Sequence, residues 1–188
     1  MKYPVILADP PWHFQNWNGA PGELTPGQQR RGNAQSHYRT MSLNEIRALD
    51  VPAEKNAVLL LWACWPLLPD ALRVVEAWGF EYKTIAWVWA KLNKNSMGFY
   101  MGMGYHTRSN TEPCLLATRG RMPVKVKDVQ ALIVSPLREH SRKPDEQYAK
   151  IERLYDGPYL EMFARRARPG WDVWGNEVAS TVQIGATP

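Results

Sequence analysis

Four neighbouring residues early in the chain are equipped for chemistry. Asp9-Pro10-Pro11-Trp12 follows the apolar run Val5–Ala8 without a gap. The run has the length of a buried strand, and the prolines forbid its continuation. That leaves a carboxylate, a rigid turn and an indole just beyond the carboxyl end of a strand, the edge at which open α/β sheets bind ligands. Consecutive prolines fix φ and remove two backbone donors, so their carbonyls stand as acceptors without competing N–H groups. An acid, fixed carbonyls and a flat aromatic suit a planar heterocycle bearing an exocyclic amino group. The plainer alternative is a strand that stops at a Pro-Pro turn with a core Trp behind it.

Other chemistries find less support. Cys64 and Cys114 are far apart and outside any ligand motif, and His13, His37, His106 and His140 occur singly, so no metal site is expected. Two isolated thiols fit a reducing cytosol. The phosphate-loop pattern G-x-x-x-x-G-K-[ST] is absent. Gly98, Gly102 and Gly104 lack dinucleotide-fingerprint spacing, and the hydrolase pattern G-x-S-x-G does not occur.

The elements that must position these residues alternate along the chain. After the first strand, His13 to Thr40 reads as a long polar loop, a functional lid or locally disordered segment carrying Arg30, Arg31, His37, Tyr38 and Arg39. Ser42-Leu43-Asn44-Glu45 has capping-box spacing and predicts a short helix to about Leu49. Ala57–Trp62 reads as a buried strand, and Pro69–Trp78 as a helix ended by Gly79. Lys83–Trp89 is apolar on both faces, which predicts a strand in the middle of a sheet with helices on either side. Lys91 to Asn110 is a second long loop. Pro113–Thr118 and Ala131–Ser135 are further strand candidates. Lys143-Pro144-Asp145-Glu146 predicts a helix with Pro at its first position and acids in its first turn. Tyr148, Ile151 and Leu154 form its apolar stripe. Tyr159–Phe163 and Trp171–Trp174 complete the strands. The pattern predicts an α/β fold, a mostly parallel sheet with helices on both faces.

At 188 residues the chain suits one domain with a substantial core, and 45% hydrophobic residues exclude overall disorder. Nine Trp is a high count that mildly favours base handling, and a net charge of +5 is compatible with a polyanionic partner. No signal-peptide pattern or bilayer-length apolar stretch is present, so a protein of the cytoplasm, with no membrane association, is expected. Residues 1–178 form the expected catalytic domain, and 179–188, small and polar, an expected flexible tail.

Three segments, in order, resemble the MT-A-type family of adenosine N6-methyltransferases. They are Ala8-Asp9-Pro10-Pro11-Trp12, then His140-Ser141-Arg142-Lys143-Pro144-Asp145-Glu146 with Ile151-Glu152-Arg153-Leu154, then Leu160-Glu161-Met162-Phe163-Ala164-Arg165-Arg166 with Gly170-Trp171 and Trp174-Gly175-Asn176-Glu177. Smaller echoes are Tyr38-Arg39-Thr40-Met41-Ser42, Leu61-Trp62 and Asn110-Thr111-Glu112-Pro113-Cys114. The resemblance implies a Rossmann-like methyltransferase with permuted motif order, the catalytic tetrapeptide first and the S-adenosylmethionine (SAM) segment last. It implies transfer to the exocyclic amino group of adenine.

On that reading Asp9, Pro10, Pro11 and Trp12 are the catalytic residues. The amino group donates to the Asp9 side chain and the Pro10 carbonyl, and Trp12 stacks on the base, worth roughly 1–3 kcal/mol. Asp9, Lys143, Phe163, Arg165, Arg166, Asn176 and Glu177 are cofactor candidates. Lys143, just before a helix start, suits a carboxylate, the methionine end of SAM or the target nucleotide. Glu177 suits ribose hydroxyls and Asn176 the cofactor's adenine. Tyr38, Arg39, Asn110 and Glu112, with Arg108 nearby, are candidates for the target-nucleotide pocket. Trp62 and Trp87 match family tryptophans inside predicted strands, where a core role fits equally. A minimal catalytic domain resembles prokaryotic or viral members, so DNA is expected ahead of RNA, in a prokaryotic or phage-infected cell. A homo- or heterodimer partner is left open. The competing readings are an RNA adenosine methyltransferase, a non-catalytic nucleic-acid-binding partner of the same fold, and a small-molecule methyltransferase.

Overall fold

The computed structural model describes residues 1–13, 40–104, 106–139 and 142–186. The predicted polar loop, with Arg30, Arg31, His37, Tyr38 and Arg39, lies outside the described residues. In chain order the elements are β1 (Tyr3–Ala8), α1 (Leu43–Arg47), β2 (Ala53–Trp62), α2 (Leu68–Ala77), β3 (Glu81–Leu92), β4 (Thr111–Arg119), β5 (Leu132–Pro136), α3 (Glu146–Leu154), β6 (Tyr159–Met162) and β7 (Trp171–Trp174). A 3₁₀ turn over Trp65–Leu67 leads into α2.

The seven strands form one sheet in the order β5-β3-β4-β2-β1-β6-β7. β1 runs parallel to β2 and β6, β6 to β7, and β3 to β5. β4 runs antiparallel to both β2 and β3. Every strand but β4 therefore points the same way. One edge of the sheet collects the carboxyl ends of β1, β2, β3, β6 and β7 together with the amino end of β4.

β2 is buried at six consecutive positions, Ala57 to Trp62. Such a run belongs to a strand covered on both faces. On one face Ile6, Leu59, Leu61 and Met162 pack with Ile46 of α1 and Ala71, Val74 and Val75 of α2. On the other Val5, Leu7, Val58 and Leu60 pack with Ile151 of α3 and with Trp87 and Trp171. The capping box at Ser42 forms: its hydroxyl accepts from Glu45 N–H at 3.2 Å, and Glu45 accepts from Ser42 N–H at 2.7 Å. Among the described residues no helix is long and apolar enough to cross a membrane.

Three expectations change. β3 lies one strand from the edge; Trp87 and Trp89 are buried, Ala86 and Val88 only half-buried, and Glu81–Thr84 are largely exposed. Its apolar composition reflects one well-covered face. α3 starts at Glu146 with Asp145 as its N-cap residue, so Pro144 precedes the helix instead of opening it. The segment after Ala179, where the sequence predicts a frayed tail, is hydrogen-bonded as far as Gly185. Thr181 N–H donates to the Val173 carbonyl at 2.9 Å, and Asp50 N–H donates to the Gly185 carbonyl at 2.8 Å. Val182 and Ile184 pack against the α1–α2 core.

Candidate active site

Asp9 is the first residue beyond β1, at the edge where the parallel strands end. Its carboxylate is held from both sides by one cation: Lys143 Nζ lies 2.9 Å from Oδ2 and 2.9 Å from Oδ1. The same ammonium reaches Glu112 Oε2 at 3.4 Å, and Lys91 Nζ closes the group on Glu112 Oε1 at 2.5 Å. Four elements meet here. Asp9 follows β1, Lys91 is next to last in β3, Glu112 is second in β4, and Lys143 precedes α3. The reversed direction of β4 is what brings an acid from its amino end to an edge otherwise built of carboxyl ends.

The quartet is mostly shielded, with side-chain exposures of 22% for Asp9, 12% for Lys143, 21% for Glu112 and 14% for Lys91. Burial pushes the Asp9 carboxyl upward, against the pull of Lys143. Burial alone would lower Lys143, but the charges of Asp9 and Glu112 outweigh it and hold the ammonium firmly protonated. For Glu112 burial works upward, yet Lys143 and Lys91 together bring its carboxyl below the usual range. Lys143 has three donors, and the two carboxylates engage them. Lys143, which the sequence offers to a carboxylate of SAM or the target, is here engaged by Asp9 and Glu112.

Lys143 is set from beneath by Trp62, whose ring lies 5.5 Å from the ammonium. Trp62 is 1% exposed and donates its indole N–H to Gln147 Oε1 at 2.7 Å, a buried bond between the end of β2 and the first turn of α3. Trp62 thus belongs both to the core and to the site, whereas Trp87 is purely core at 0% exposure.

Trp12 is anchored in the core beside the site. It is 8% exposed, packs within the α1–α2 core, and donates its indole N–H to the Trp62 carbonyl at 3.0 Å. Little of its ring is left for a base to stack on; it staples the Pro-Pro turn to the end of β2. The proline carbonyls are also engaged. Pro10 O accepts from Trp12 N–H at 2.8 Å and Pro11 O from Met41 N–H at 3.0 Å. A carbonyl has a second lone pair, so each retains capacity for one more donor.

Beside Asp9 opens a cleft floored by Leu7 and Trp62 and walled by Lys143, Tyr148, Glu161, Phe163 and the arginines at 142, 165 and 166. Phe163 has φ +62, a left-handed backbone that costs a residue with a Cβ of order 1–3 kcal/mol and that recurs at functional turns. Two contacts impose it. The Phe163 ring meets Trp174 edge-on at 5.2 Å, and Ala164 N–H donates to the Trp174 carbonyl at 2.9 Å. Gly175 permits this closeness, since a Cβ there would stand 2.1 Å from the Ala164 carbonyl oxygen. The Phe163 turn sends the chain out of β6 with Arg165 and Arg166 on the cleft. At the rim Asp145 pairs with Arg138, with Arg142 at 2.6 Å and with Arg166 at 3.4 Å.

Sequence reasoning quoted Glu161 without giving it a role. Its carboxyl lines the cleft and accepts from the Tyr148 hydroxyl at 3.0 and 3.1 Å. Burial, reinforced by the Asp9 charge, moves it up to about 7 despite that bond. Lys91 was missed as well, because the predicted strand stopped at Trp89; its signal is a lone cation in phase with Trp87 and Trp89 on an alternating strand. Glu177 is exposed and reaches Arg165 Nε at 3.8 Å, at the cleft's margin, while Asn176 is exposed and outside the cleft lining. Arg108 is exposed on the loop between β3 and β4, 3.5 Å from the Gly104 carbonyl. Asn110 contributes its carbonyl, which accepts from Lys91 N–H at 2.9 Å. Tyr38 and Arg39 lie outside the described residues.

Cys64 stands near this cluster, but burial and the Glu112 charge push its thiol up to about 11. It is protonated at neutral pH, hence a poor nucleophile. Among the described residues no group of three or more His, Cys, Asp and Glu could hold a metal ion.

A carboxylate locked beyond β1, a cleft from β6 beside it and a reversed strand in an otherwise parallel sheet are accompanied by a family match. The MT-A70 family model matches residues 3–177. The chain belongs to the MT-A70 family. It is similar to the Type II methyltransferase M.MunI of Mycoplasma sp, at 33% identity over 94% of this chain and 78% of that protein. It is also similar to the N(6)-adenosine-methyltransferase MT-A70-like protein of Arabidopsis thaliana, 30% identical over 93% of this chain and 23% of that protein. The human N(6)-adenosine-methyltransferase catalytic subunit METTL3 is 27% identical over 94% of this chain and 28% of its own length. The chain thus spans most of the first relative and about a quarter of the other two.

Proposed function

We propose that this MT-A70 domain transfers the methyl group of SAM to the exocyclic N6 amino group of adenine in nucleic acid, with DNA preferred to RNA. The observation that carries the reading is the Asp9 carboxylate, immobilised on both oxygens by Lys143 at the mouth of a cleft. An adenine amino group is conjugated with its ring, so its lone pair is a poor nucleophile. Each Asp9 oxygen keeps a lone pair beyond the bond to Lys143, and Pro10 O keeps one beyond its bond to Trp12. Accepting the two amino hydrogens at these atoms localises the nitrogen lone pair, and the rigid turn orients it for in-line attack. Burial, by raising Asp9, makes it a better acceptor for the proton released afterwards.

The cleft's donor set fits SAM, which supplies an electrophilic methyl group on a sulfonium. Arg165 and Arg166 suit its carboxylate, Glu161 and Glu177 its ribose hydroxyls, and the Phe163 ring an apolar wall. Asn176 is the remaining candidate for the cofactor's adenine, and Arg108, Asn110, Tyr38 and Arg39 for the target nucleotide. DNA is put ahead of RNA because the match spans most of the Type II methyltransferase but about a quarter of the adenosine-methylating relatives. The RNA reading draws its support from those relatives' names. A non-catalytic partner of the same fold would have no use for an acid held in this way.

The test is methyl transfer from labelled SAM to adenine-containing DNA and RNA oligonucleotides, single- and double-stranded, with Asp9→Ala alongside. Label on DNA that vanishes in the variant is the expected result. Label on RNA alone would overturn the substrate preference, and activity retained by Asp9→Ala would overturn the role of the acid.

A further inference from the structure

Residues 93–110, between β3 and β4, leave the sheet at the edge that carries Asp9, and the chemistry above draws on only Arg108 and Asn110 among them. Four large apolar side chains stand out of this loop at alternate positions. Met97 is 100% exposed, Phe99 59%, Met101 73% and Met103 70%. Gly98, at φ +98, bends the chain between Met97 and Phe99, so four exposed apolar side chains fall within seven residues of one loop. The loop is built to hold them there. Tyr100 N–H donates to the Lys91 carbonyl at 2.8 Å, Asn93 N–H to the Gly98 carbonyl at 3.0 Å, and Gly102 N–H to the Ser109 carbonyl at 3.0 Å. At Gly102 a Cβ would lie 2.1 Å from that same Ser109 oxygen, so the two arms of the loop touch through backbone alone.

Two further features say what this surface meets. Phe99 bridges to Leu92, the residue after Lys91, whose ammonium holds Glu112 in the ionic quartet. Phe99 therefore stands beside the site. The loop also carries Lys94 and Arg108 and no Asp or Glu. A patch that joins unopposed cations to aromatic and thioether side chains matches a polyanion with exposed bases. Withdrawing an adenine from a stack leaves neighbouring bases uncovered, and apolar side chains are the groups that fill such gaps.

We propose that the described residues of this loop, 93–104 and 106–110, form the nucleic-acid contact flanking the target adenine. Phe99, Met101 and Met103 pack against the bases uncovered when it withdraws, and Lys94 and Arg108 lie on adjacent phosphates. This rests on the reading of the site as an adenine methyltransferase.

The test uses fluorescein-labelled, mixed-sequence single-stranded and duplex DNA, with binding followed by anisotropy across a salt series. Phe99→Ser/Met101→Ser should bind about tenfold more weakly, as loss of one stacked contact implies, while SAM affinity and thermal midpoint stay at wild-type values. Lys94→Ala/Arg108→Ala should flatten the salt dependence. Unchanged oligonucleotide affinity in both variants would overturn the proposal. So would a wild-type dimer that Phe99→Ser/Met101→Ser splits with DNA affinity retained, since the patch would then be a self-association surface. A wild-type chain that binds SAM but neither DNA nor RNA would sink the adenine reading and the loop's role with it. Equal methylation by wild type and Phe99→Ser/Met101→Ser would sink the loop's role alone.

Discussion

Replacing Lys143 with Met removes the cation that sits 2.9 Å from both Asp9 oxygens and 3.4 Å from Glu112. Lys91 still compensates Glu112 at 2.5 Å, so the burden falls on Asp9. Breaking a buried ion pair by deleting one partner costs about 3–5 kcal/mol, because a charge is left without its counterion. The Asp9 side chain keeps 22% exposure, which favours the lower end, about 3 kcal/mol. In a domain of this size that lowers the melting temperature by roughly 6–12 °C. Asp9→Asn alone should cost less, since Lys143 retains Glu112. Asp9→Asn/Lys143→Met removes both members, and its loss should fall short of the two single losses added by at least about 1 kcal/mol. Denaturant melts of the four proteins measure this coupling. The pH dependence is a second check. Without Lys143 the folded-state pKa of Asp9 rises further above its unfolded value, so the folded state favours the protonated acid. Stability in Lys143→Met is then greatest at low pH and is lost as pH rises through the folded pKa. The deficit against wild type should therefore shrink on moving from about pH 8 to about pH 5. Additive single losses, or a deficit constant over that range, would refute the pairing as the element that holds Asp9.

Two shorter predictions concern the cleft. A Glu161 carboxyl raised from 4.5 to about 7 makes the folded protein most stable below 4.5 and costs it about 3 kcal/mol as pH rises through 7. Glu161→Gln should flatten that decline. If its ionised form accepts ribose hydroxyls, wild-type SAM affinity should rise across the same range and the variant's should not. Gly175→Ala places a Cβ 2.1 Å from the Ala164 oxygen, so the β6–β7 junction must open. A loss of about 1–3 kcal/mol is expected, with weaker SAM binding by calorimetry as Phe163 and Arg165 shift. A variant that melts with the wild type would show that the backbones need not approach so closely.

What the sequence made readable was periodic or local. The run Ala57–Trp62 announces a buried strand, and Ser42 with Glu45 announces a cap, since each signal lies within a few residues. Direction is different. A strand's composition is the same read either way, so nothing in Thr111–Arg119 reveals that β4 is reversed, and hence that Glu112 faces Asp9 from an amino end. Trp12 shows the limit of residue type. An indole near a ligand edge suits a base platform or a core staple, and no local pattern reveals that its N–H donates to the Trp62 carbonyl, fifty residues away. Pairing Asp9 with Lys143 across 134 residues was within reach only through family resemblance. Lys91 escaped even that. Residues 180–185 are fastened by the Ser180 and Thr181 hydroxyls, by Val182 and Ile184 and by two backbone bonds, scattered contacts that leave no periodic signal in the sequence.

The quartet also explains how electrostatic labour is divided. Two carboxylates and two ammoniums, Asp9, Glu112, Lys143 and Lys91, sum to zero. The ion pairs leave little net negative charge to face an approaching phosphate backbone, and the two lysines are spent in making them. Attraction to nucleic acid must then come from elsewhere at the same edge. The chain's net charge of +5 supplies part of it, and the acid-free loop 93–110 is positioned to focus it beside the target. A neutral centre with basic surroundings makes a specific demand. Raising salt should weaken nucleic-acid binding steeply, while the step at Asp9, shielded from ions by its own partners, should proceed at a nearly constant rate once the complex is saturated. A saturated turnover rate that falls with salt as fast as the affinity would mean that the quartet is open to solvent ions and that Asp9 is not held as described.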